Sequence, residues 1–255
     1  MSNDGSFALG FFSPGTSNNR YLGIWYHNDP MQTVVWVANR INPINDSTGV
    51  LKIESSGRIV LVQNITAVWS TDTTACVENP VLQLLDSGMK IGVDLRTGFA
   101  RRITAWKNWD DPSPGDLTYG VELEGIPQIR KGLKKYSLSG IWIGNGFSGI
   151  RYVSLNPIYD YQFVWNEDEV YYIFSLKNKL VLSRVVLNQT ESVRQRYTRS
   201  PDTQTWMLFS MRPRDYCDNY GRCGSNVNCD NNELPVCQCL TGFRPRWPER
   251  WNLSD

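Results

Sequence analysis

The chain has a single histidine, His27, among its 255 residues. Ser-His-Asp or Cys-His machinery would have to be built on that one side chain. It stands in the turn-forming run His27-Asn28-Asp29-Pro30, so a solvated loop residue is expected. No apolar run approaches the roughly 20 residues that a membrane-spanning helix needs. No window sustains a 3.6-residue apolar period, so little helix is expected. The opening MSNDGSFALGFF lacks a basic segment followed by an apolar one, so no signal peptide is visible. Neither sign of charge dominates: 26 basic and 25 acidic residues leave a net +1. That excludes the broad basic face of a nucleic-acid binder, although Arg244, Arg246 and Arg250 form a local basic strip. The Cys-x2-4-Cys pairs and histidines of zinc sites are lacking too. No metal site and no cofactor is expected.

Motifs that hint at chemistry have plainer readings. Gly144-Asn145-Gly146-Phe147-Ser148-Gly149 matches G-x-G-x-x-G. Residues 150–157 supply no helix whose N-terminal amides could meet a pyrophosphate, so a glycine-rich turn is expected. Asp110/Asp111 and Glu167-Asp168-Glu169 are neighbouring carboxylates in polar turns, where solvated or capping roles dominate. No catalytic residue is assigned. Phe163, Trp165, Tyr171 and Tyr172 read as sheet packing rather than a ligand platform.

What is present is strand. Hydrophobic residues make up 41% of the chain, enough to bury a core. Arg20–Arg40 holds two apolar runs, Tyr21–Tyr26 and Val34–Val37, either side of His27–Pro30. Two strands joined by a polar loop follow, with Trp25 and Trp36 as core rings. Further strands are expected at Phe7–Phe12, Val50–Glu54, Arg58–Gln63 and Ala67–Thr71. An internal repeat relates Val50–Gly57 to Val81–Gly88, and Trp36 to Trp69, 33 residues on. Asp110–Asp116 carries two prolines and a glycine and is expected to be a rigid loop. After it come strand candidates at Leu117–Leu123, Gln128–Lys131, Tyr159–Trp165, Val170–Leu176, Val181–Leu187 and Thr205–Ser210. Their spacing suits an antiparallel meander.

Five of the six cysteines fall between Cys217 and Cys239, spaced C-x5-C-x5-C-x7-C-x-C. Clustering in a short Gly/Asn-rich segment indicates a disulfide module of an oxidising compartment. Asn-x-Ser/Thr sequons at Asn45, Asn64, Asn188 and Asn252 agree with that. Extracellular chemistry without an export signal points to a piece of a longer protein.

Three motif blocks resemble one family in its own order. GSFALGFFSPG (Gly5–Gly15), YLGIWY (Tyr21–Tyr26) and VVWVANR (Val34–Arg40) resemble the bulb-type, mannose-binding lectin domain. WKNWDDPSPGDLTYG (Trp106–Gly120) resembles the start of the S-locus glycoprotein domain. CDNYGRCGSNVNC (Cys217–Cys229) with PVCQCLTGF (Pro235–Phe243) resembles its EGF-like module. Together they resemble the ectodomain of plant S-domain, or G-type lectin, receptor-like kinases and S-locus glycoproteins. The resemblance implies an all-β chain: a partial, β-prism-like lectin domain (1–88), an S-locus glycoprotein domain (89–215) and an incomplete EGF-like module (216–255). It implies that about one repeat unit, ~30 residues, is missing where Gly88 meets Met89.

The family's mannose pattern, Gln-x-Asp-x-Asn-x-Val-x-Tyr, falls on Glu54, Ser56, Arg58, Val60 and Val62, and only Val60 fits. EGF-like pairing implies Cys217–Cys229 and Cys223–Cys237. It leaves Cys239 without its partner, and Cys76 has no counterpart. By resemblance the role is non-catalytic extracellular recognition, in pollen self-incompatibility or defence signalling. The family's serine/threonine kinase domain lies outside this chain. The ligand implied is a protein or peptide, or a glycan. Homo- or hetero-oligomers with other S-domain receptors are implied too. The alternative is a secreted mannose- or carbohydrate-binding lectin.

Overall fold

The computed structural model describes residues 1–72, 82–84, 90–149 and 156–251. Almost all regular structure among them is strand. The exceptions are one 3-10 turn, Tyr216–Asp218, and the four-residue helix α1, Pro248–Trp251. The chain divides into two compact units, Met1–Gly88 with Ala105–Gly115, and Met89–Thr104 with Asp116–Asp255.

In the first unit, β1 (Phe7–Phe12), β2 (Tyr21–Tyr26) and β3 (Val34–Val37) form one antiparallel sheet. Phe7 faces Tyr26 and Phe12 faces Tyr21, so Gly10 and Gly23 fall opposite each other. A Cβ on Gly10 would meet the Trp25 ring at 2.7 Å; the glycine is what lets the half-buried indole lie flat on the sheet. The polar loop after β2 is held by Asp29, 2% exposed, whose carboxylate accepts from the backbone N–H groups of Met31 and Thr33. Asn39 is also 2% exposed. Its Oδ1 accepts from Leu22 N–H at 2.8 Å, and its Nδ2 donates to the carbonyls of Arg20 and Asn42. One side chain thus satisfies backbone groups that no strand reaches. A second sheet, β4 (Gly49–Ile53), β5 (Ile59–Gln63) and β6 (Thr66–Ser70), is antiparallel throughout. Leu22, Ile44 and Leu61 form the core, flanked by Leu9, Phe11, Ala38, Leu51, Val68 and Trp69. Fully burying each such side chain stabilises by about 1.5–3 kcal/mol.

One expectation about the tryptophans changes. Trp36 is not a core ring: it is 42% exposed and meets Trp69 edge-on at 5.8 Å. The tryptophans of the internal repeat therefore touch each other. Most of the repeat's second copy, with Cys76 and the Gly88/Met89 junction, lies outside the described residues.

Within the stretch Asp110–Asp116, Asp110 is in a turn and Asp111–Asp116 is strand rather than loop. β9 (Ile103–Asn108) precedes it, and β10 runs Asp111–Val121 straight through both prolines. Pairing of β10 with β11 (Pro127–Lys131) begins only at Leu117. The missing N–H groups of Pro112 and Pro114 therefore break no ladder bond on that side. Ala105–Gly115 groups with the first unit for visible reasons. Arg40 donates from Nε to Pro112 O and from Nη2 to Ala105 O, both at 2.6 Å. Phe12 stacks on Trp106, and Gly15 leaves room for Trp109.

The second unit is not a simple meander. β12 (Lys134–Leu138) extends the β9–β11 sheet. In the next sheet, β7 (Lys90–Asp94) lies between β8 (Ala100–Arg101) and β14 (Glu169–Leu176), which also pairs with β13 (Tyr159–Trp165). β7 thus joins a strand about 80 residues away, with Ile91 facing Tyr172 and Gly92 facing Tyr171. A Cβ on Gly92 would sit 2.1 Å from Val170 O, so the glycine that makes Lys90–Val93 look irregular is the condition for its pairing. Alternation on β14 buries Val170, Tyr172 and Phe174. Phe147, 1% exposed, packs edge-on against Trp142, Phe163 and Tyr172, so the glycine-rich run 144–149 is a turn that carries a core ring. The last large sheet is β15 (Leu182–Asn188), β16 (Val193–Arg199) and β17 (Trp206–Arg212). Residues 216–251 close the unit with the hairpin β18 (Val227–Cys229) and β19 (Cys237–Cys239).

Candidate functional site

The positions of the mannose pattern lie on the β4–β5 hairpin. Glu54–Gly57 forms its turn, with Gly57 at φ +76° and its N–H donating to Glu54 O at 2.9 Å. Glu54 is exposed, and Ser56 Oγ accepts from Arg58 N–H. Arg58 reaches across to β6, where Nη2 donates to Ser70 Oγ at 2.5 Å. Val60 is 5% exposed and faces Lys52 and Ser70; Val62 is half-buried between Val50 and Ala67. A vicinal diol is held by groups that donate and accept side by side, as Asn and Asp–Asn sets do. This ladder supplies a guanidinium already bonded to a hydroxyl, followed by two valines.

The sequons differ in access. Asn45 is exposed, and its Oδ1 accepts from Gln63 Nε2. Asn64 is exposed at the β5–β6 turn, with φ +55°. Asn188 is half-buried, and its Oδ1 accepts from Glu191 N–H at 3.0 Å. Asn252 lies outside the described residues.

The C-terminal module is stapled by Cys217–Cys229 and Cys223–Cys237. The sulfurs of Cys223, Cys229 and Cys237 lie within 4.8 Å of one another because the two bridges are adjacent; bonded sulfur is not a thiolate ligand. Cys239 is unbonded and half-buried. Asp215 caps the 3-10 turn by accepting from the N–H groups of Cys217 and Asp218. Asp218 fixes the module to the sheets before it. Its Oδ2 accepts from Arg212 Nη1 at 2.8 Å and from Arg214 N–H at 2.7 Å, while its carbonyl accepts from Ser137 Oγ. Beside this joint, Leu138, Gly140, Ser148, Asp218 and Tyr220 border an open cavity of about 390 Å³.

His27 is exposed in its loop, and its backbone N–H donates to Ser6 O. The carboxylate groups do structural work. Asp111 is held below the usual carboxylate range, first by its bonds from Ser113. Asp168 faces Arg96 at 3.7 Å, and Glu169 pairs with Lys90. Phe163 lies in the ring cluster, whereas Trp165 at its edge is 60% exposed.

Sequence reasoning missed the arginines of β16. Arg194, Arg196 and Arg199 are 5%, 4% and 6% exposed. Arg194 Nη1 donates to Tyr119 OH at 3.1 Å. The Arg196 guanidinium lies 4.0 Å from the Phe174 ring centroid and 4.6 Å from that of Tyr159. Burial raises the Tyr159 phenol above its ordinary value. Val-Arg-Gln-Arg-Tyr-Thr-Arg reads as a solvated charge run. The one available signal was the number of tyrosines in the strands around it, since aromatic faces receive cations.

An all-β chain in two units, ending in a disulfide-stapled module, has the build of proteins that present loops on a rigid scaffold. Residues 33–89 match the D-mannose binding lectin family, and residues 137–247 match the S-locus glycoprotein domain. The chain is 38% identical to receptor-like serine/threonine-protein kinase SD1-8 of Arabidopsis thaliana, over 98% of this chain and 33% of that protein. It is 37% identical to SD1-7 of the same plant, over 98% and 33%. It is 36% identical to S-locus-specific glycoprotein S6 of Brassica oleracea, over 97% of this chain and 64% of that protein. It therefore belongs with the G-type lectin S-receptor-like kinases and S-locus glycoproteins, and spans a third of the two kinases' length.

Proposed function

We propose that this chain is a non-catalytic extracellular recognition region, organised as a lectin-like part (1–88), an S-locus glycoprotein part (89–215) and an EGF-like module (216–255). Its ligand is a protein or peptide, read by loops on the β-scaffold, in pollen recognition or defence signalling. Pairing with other S-domain chains, as homo- or hetero-oligomers, belongs to the same reading. The match of both families in order along one disulfide-bearing chain carries it. An extracellular setting is supported by the two bridges and by the exposed sequons Asn45 and Asn64. No helix of the described residues is long and apolar enough to cross a membrane.

The competing reading, a mannose-binding lectin, is disfavoured by the Arg58, Val60 and Val62 ladder. The chain is to be expressed through a secretory pathway and offered to a glycan array and to a displayed peptide library. Peptide capture without selective mannose binding is expected. Selective binding of mannose, lost on Arg58→Ala, would reverse the ranking. Removal of N-linked glycan should shift the mass at Asn45 and Asn64; an unglycosylated secreted chain would refute those two sites.

A further inference from the structure

The sheets β12–β11–β10–β9 and β13–β14–β7–β8 hold four strands each, whereas β15–β16–β17 holds three. β16 covers one side of β17, and no described strand pairs with the other side. Alternate N–H and C=O groups of Met207–Met211 therefore point outward, and none is bonded to a described loop. The side chains there are open as well. Met207, Leu208 and Phe209 are 60%, 50% and 39% exposed, and among the described residues no other three consecutive large apolar side chains are exposed. Phe209 is a core ring by its contacts, since it meets the buried Tyr159 ring edge-on at 5.1 Å. Its remaining exposure is what a fourth strand would cover.

Open sheet edges are ordinarily blunted by charge, proline or shortness. The other edges of these three sheets follow that rule. β12 carries Lys134 and Lys135, β9 carries Lys107, β13 carries Asp160, β15 carries Arg184, and β8 is two residues long. Trp206–Met211 has neither charge nor proline. Its one irregularity is a bulge at Phe209, between the pairs Leu208–Tyr197 and Ser210–Arg196. What covers a row of outward N–H and C=O groups is another strand, since extended backbone answers both in register. That strand has to be uncharged too, because a charged edge would be desolvated against Met207–Phe209. Among the edges of these three sheets, only β17 meets the condition. Antiparallel pairing with its own copy about a two-fold axis at Phe209 sets Met207 opposite Met211 and Leu208 opposite Ser210. The one charge of the strand, Arg212, then falls opposite Trp206 rather than its own copy, so no like charges meet. We infer that β17 pairs with β17 of a second copy of this chain, joining the two three-stranded sheets into one. This rests on the oligomer reading above and supplies its contact surface.

The test is sedimentation velocity of the whole 255-residue chain, over a roughly hundredfold range of concentration. Monomer should give way to dimer as concentration rises. Hydrogen exchange at the two ends of the range should slow at the β17 amides in the dimer and stay unchanged at those of β12. Leu208→Lys brings two like charges to the junction and should weaken the dimer about tenfold or more. Leu133→Lys removes a leucine that is 93% exposed at the β11–β12 turn, and should leave the dimer unchanged. An unchanged thermal midpoint checks that Leu208→Lys folds, and the exchange measurement on the native chain needs no variant. A monomer throughout the range would overturn the inference. So would a dimer that a folded Leu208→Lys leaves intact, or one that adds no protection to β17. Those failures leave peptide recognition standing, whereas a failed peptide capture by a β17-paired dimer would refute that reading alone.

Discussion

Arg196 offers a substitution series in which charge and volume can be separated. Its side chain is 4% exposed and lies among Phe174, Tyr159 and Tyr161, with Nη1 at 3.5 Å from Tyr161 OH. Nε has no hydrogen-bond partner among the described residues. Truncation to alanine opens a cavity and removes the ring contacts. Large-to-Ala changes in a core cost about 2–5 kcal/mol, and a desolvated cation–π contact adds about 2 kcal/mol. Against this stands relief of desolvation, which is several kcal/mol for a buried ion. Methionine keeps most of the volume and removes the charge, so Arg196→Met should be neutral or stabilising by about 1 kcal/mol. Arg196→Ala should destabilise by about 2–4 kcal/mol. Lysine keeps the charge but not the plane that lies on the rings, and should cost about 2 kcal/mol. Urea unfolding followed by tryptophan fluorescence gives the order from the midpoints, provided the slopes agree. If methionine proves as damaging as alanine, the cation itself holds this core together, and treating it as a desolvated burden is wrong.

Three further outcomes are expected. Asn39→Ala leaves the buried Leu22 N–H without its acceptor and takes a donor from the Asn42 carbonyl, while the Arg20 carbonyl keeps its bond from Ile44 N–H; it should lower stability by about 1–3 kcal/mol, and a change under ~0.5 kcal/mol in the same urea assay would refute the bridging role. Gly92→Ala places a methyl 2.1 Å from Val170 O. Hydrogen exchange should then show early opening of β7, whereas unchanged protection at Ile91 and Val93 would contradict the clash. Glu122 is held below its ordinary 4.5, first by the hydrogen bond from Arg102 and against an opposing contribution from burial. Its folded state takes up a proton less readily than the unfolded chain does, so it stabilises above about 4.5 and that contribution is lost as pH falls through the lowered value. Glu122→Gln should therefore be less stable than the native chain at neutral pH, with the gap closing in acid; a pH-independent gap would show that the charge is not the cause.

How much was legible depended on how local the signal was. The strands Phe7–Phe12, Tyr21–Tyr26, Val34–Val37 and Tyr159–Trp165 announce themselves by apolar content and flanking turns. β16 did not, because its arginines look solvated until facing tyrosines are supplied by strands 35 to 75 residues away. β12 reads as polar because Lys134 and Lys135 are solvent-facing, and they stay exposed in the strand. Two prolines and a glycine argued for a loop at Asp110–Asp116, and only the structure showed that pairing with β11 starts at Leu117, beyond both prolines. On the β4–β5 hairpin, the residue types at 54–62 could be read directly, but the burial of Val60 and the reach of Arg58 to Ser70 could not.

The sequence by itself determined the class: alternating apolar runs, turn residues and clustered cysteines specify strands, hairpins and a sulfur-stapled end, because these depend on neighbours along the chain. The tertiary structure decided which strands pair across long separations, which tryptophans are left in water, and which cations lose it. Those outcomes depend on contacts between segments far apart in sequence, where Gly92 beside Val170 or Arg196 beside Phe174 acquires meaning only once the sheets have closed.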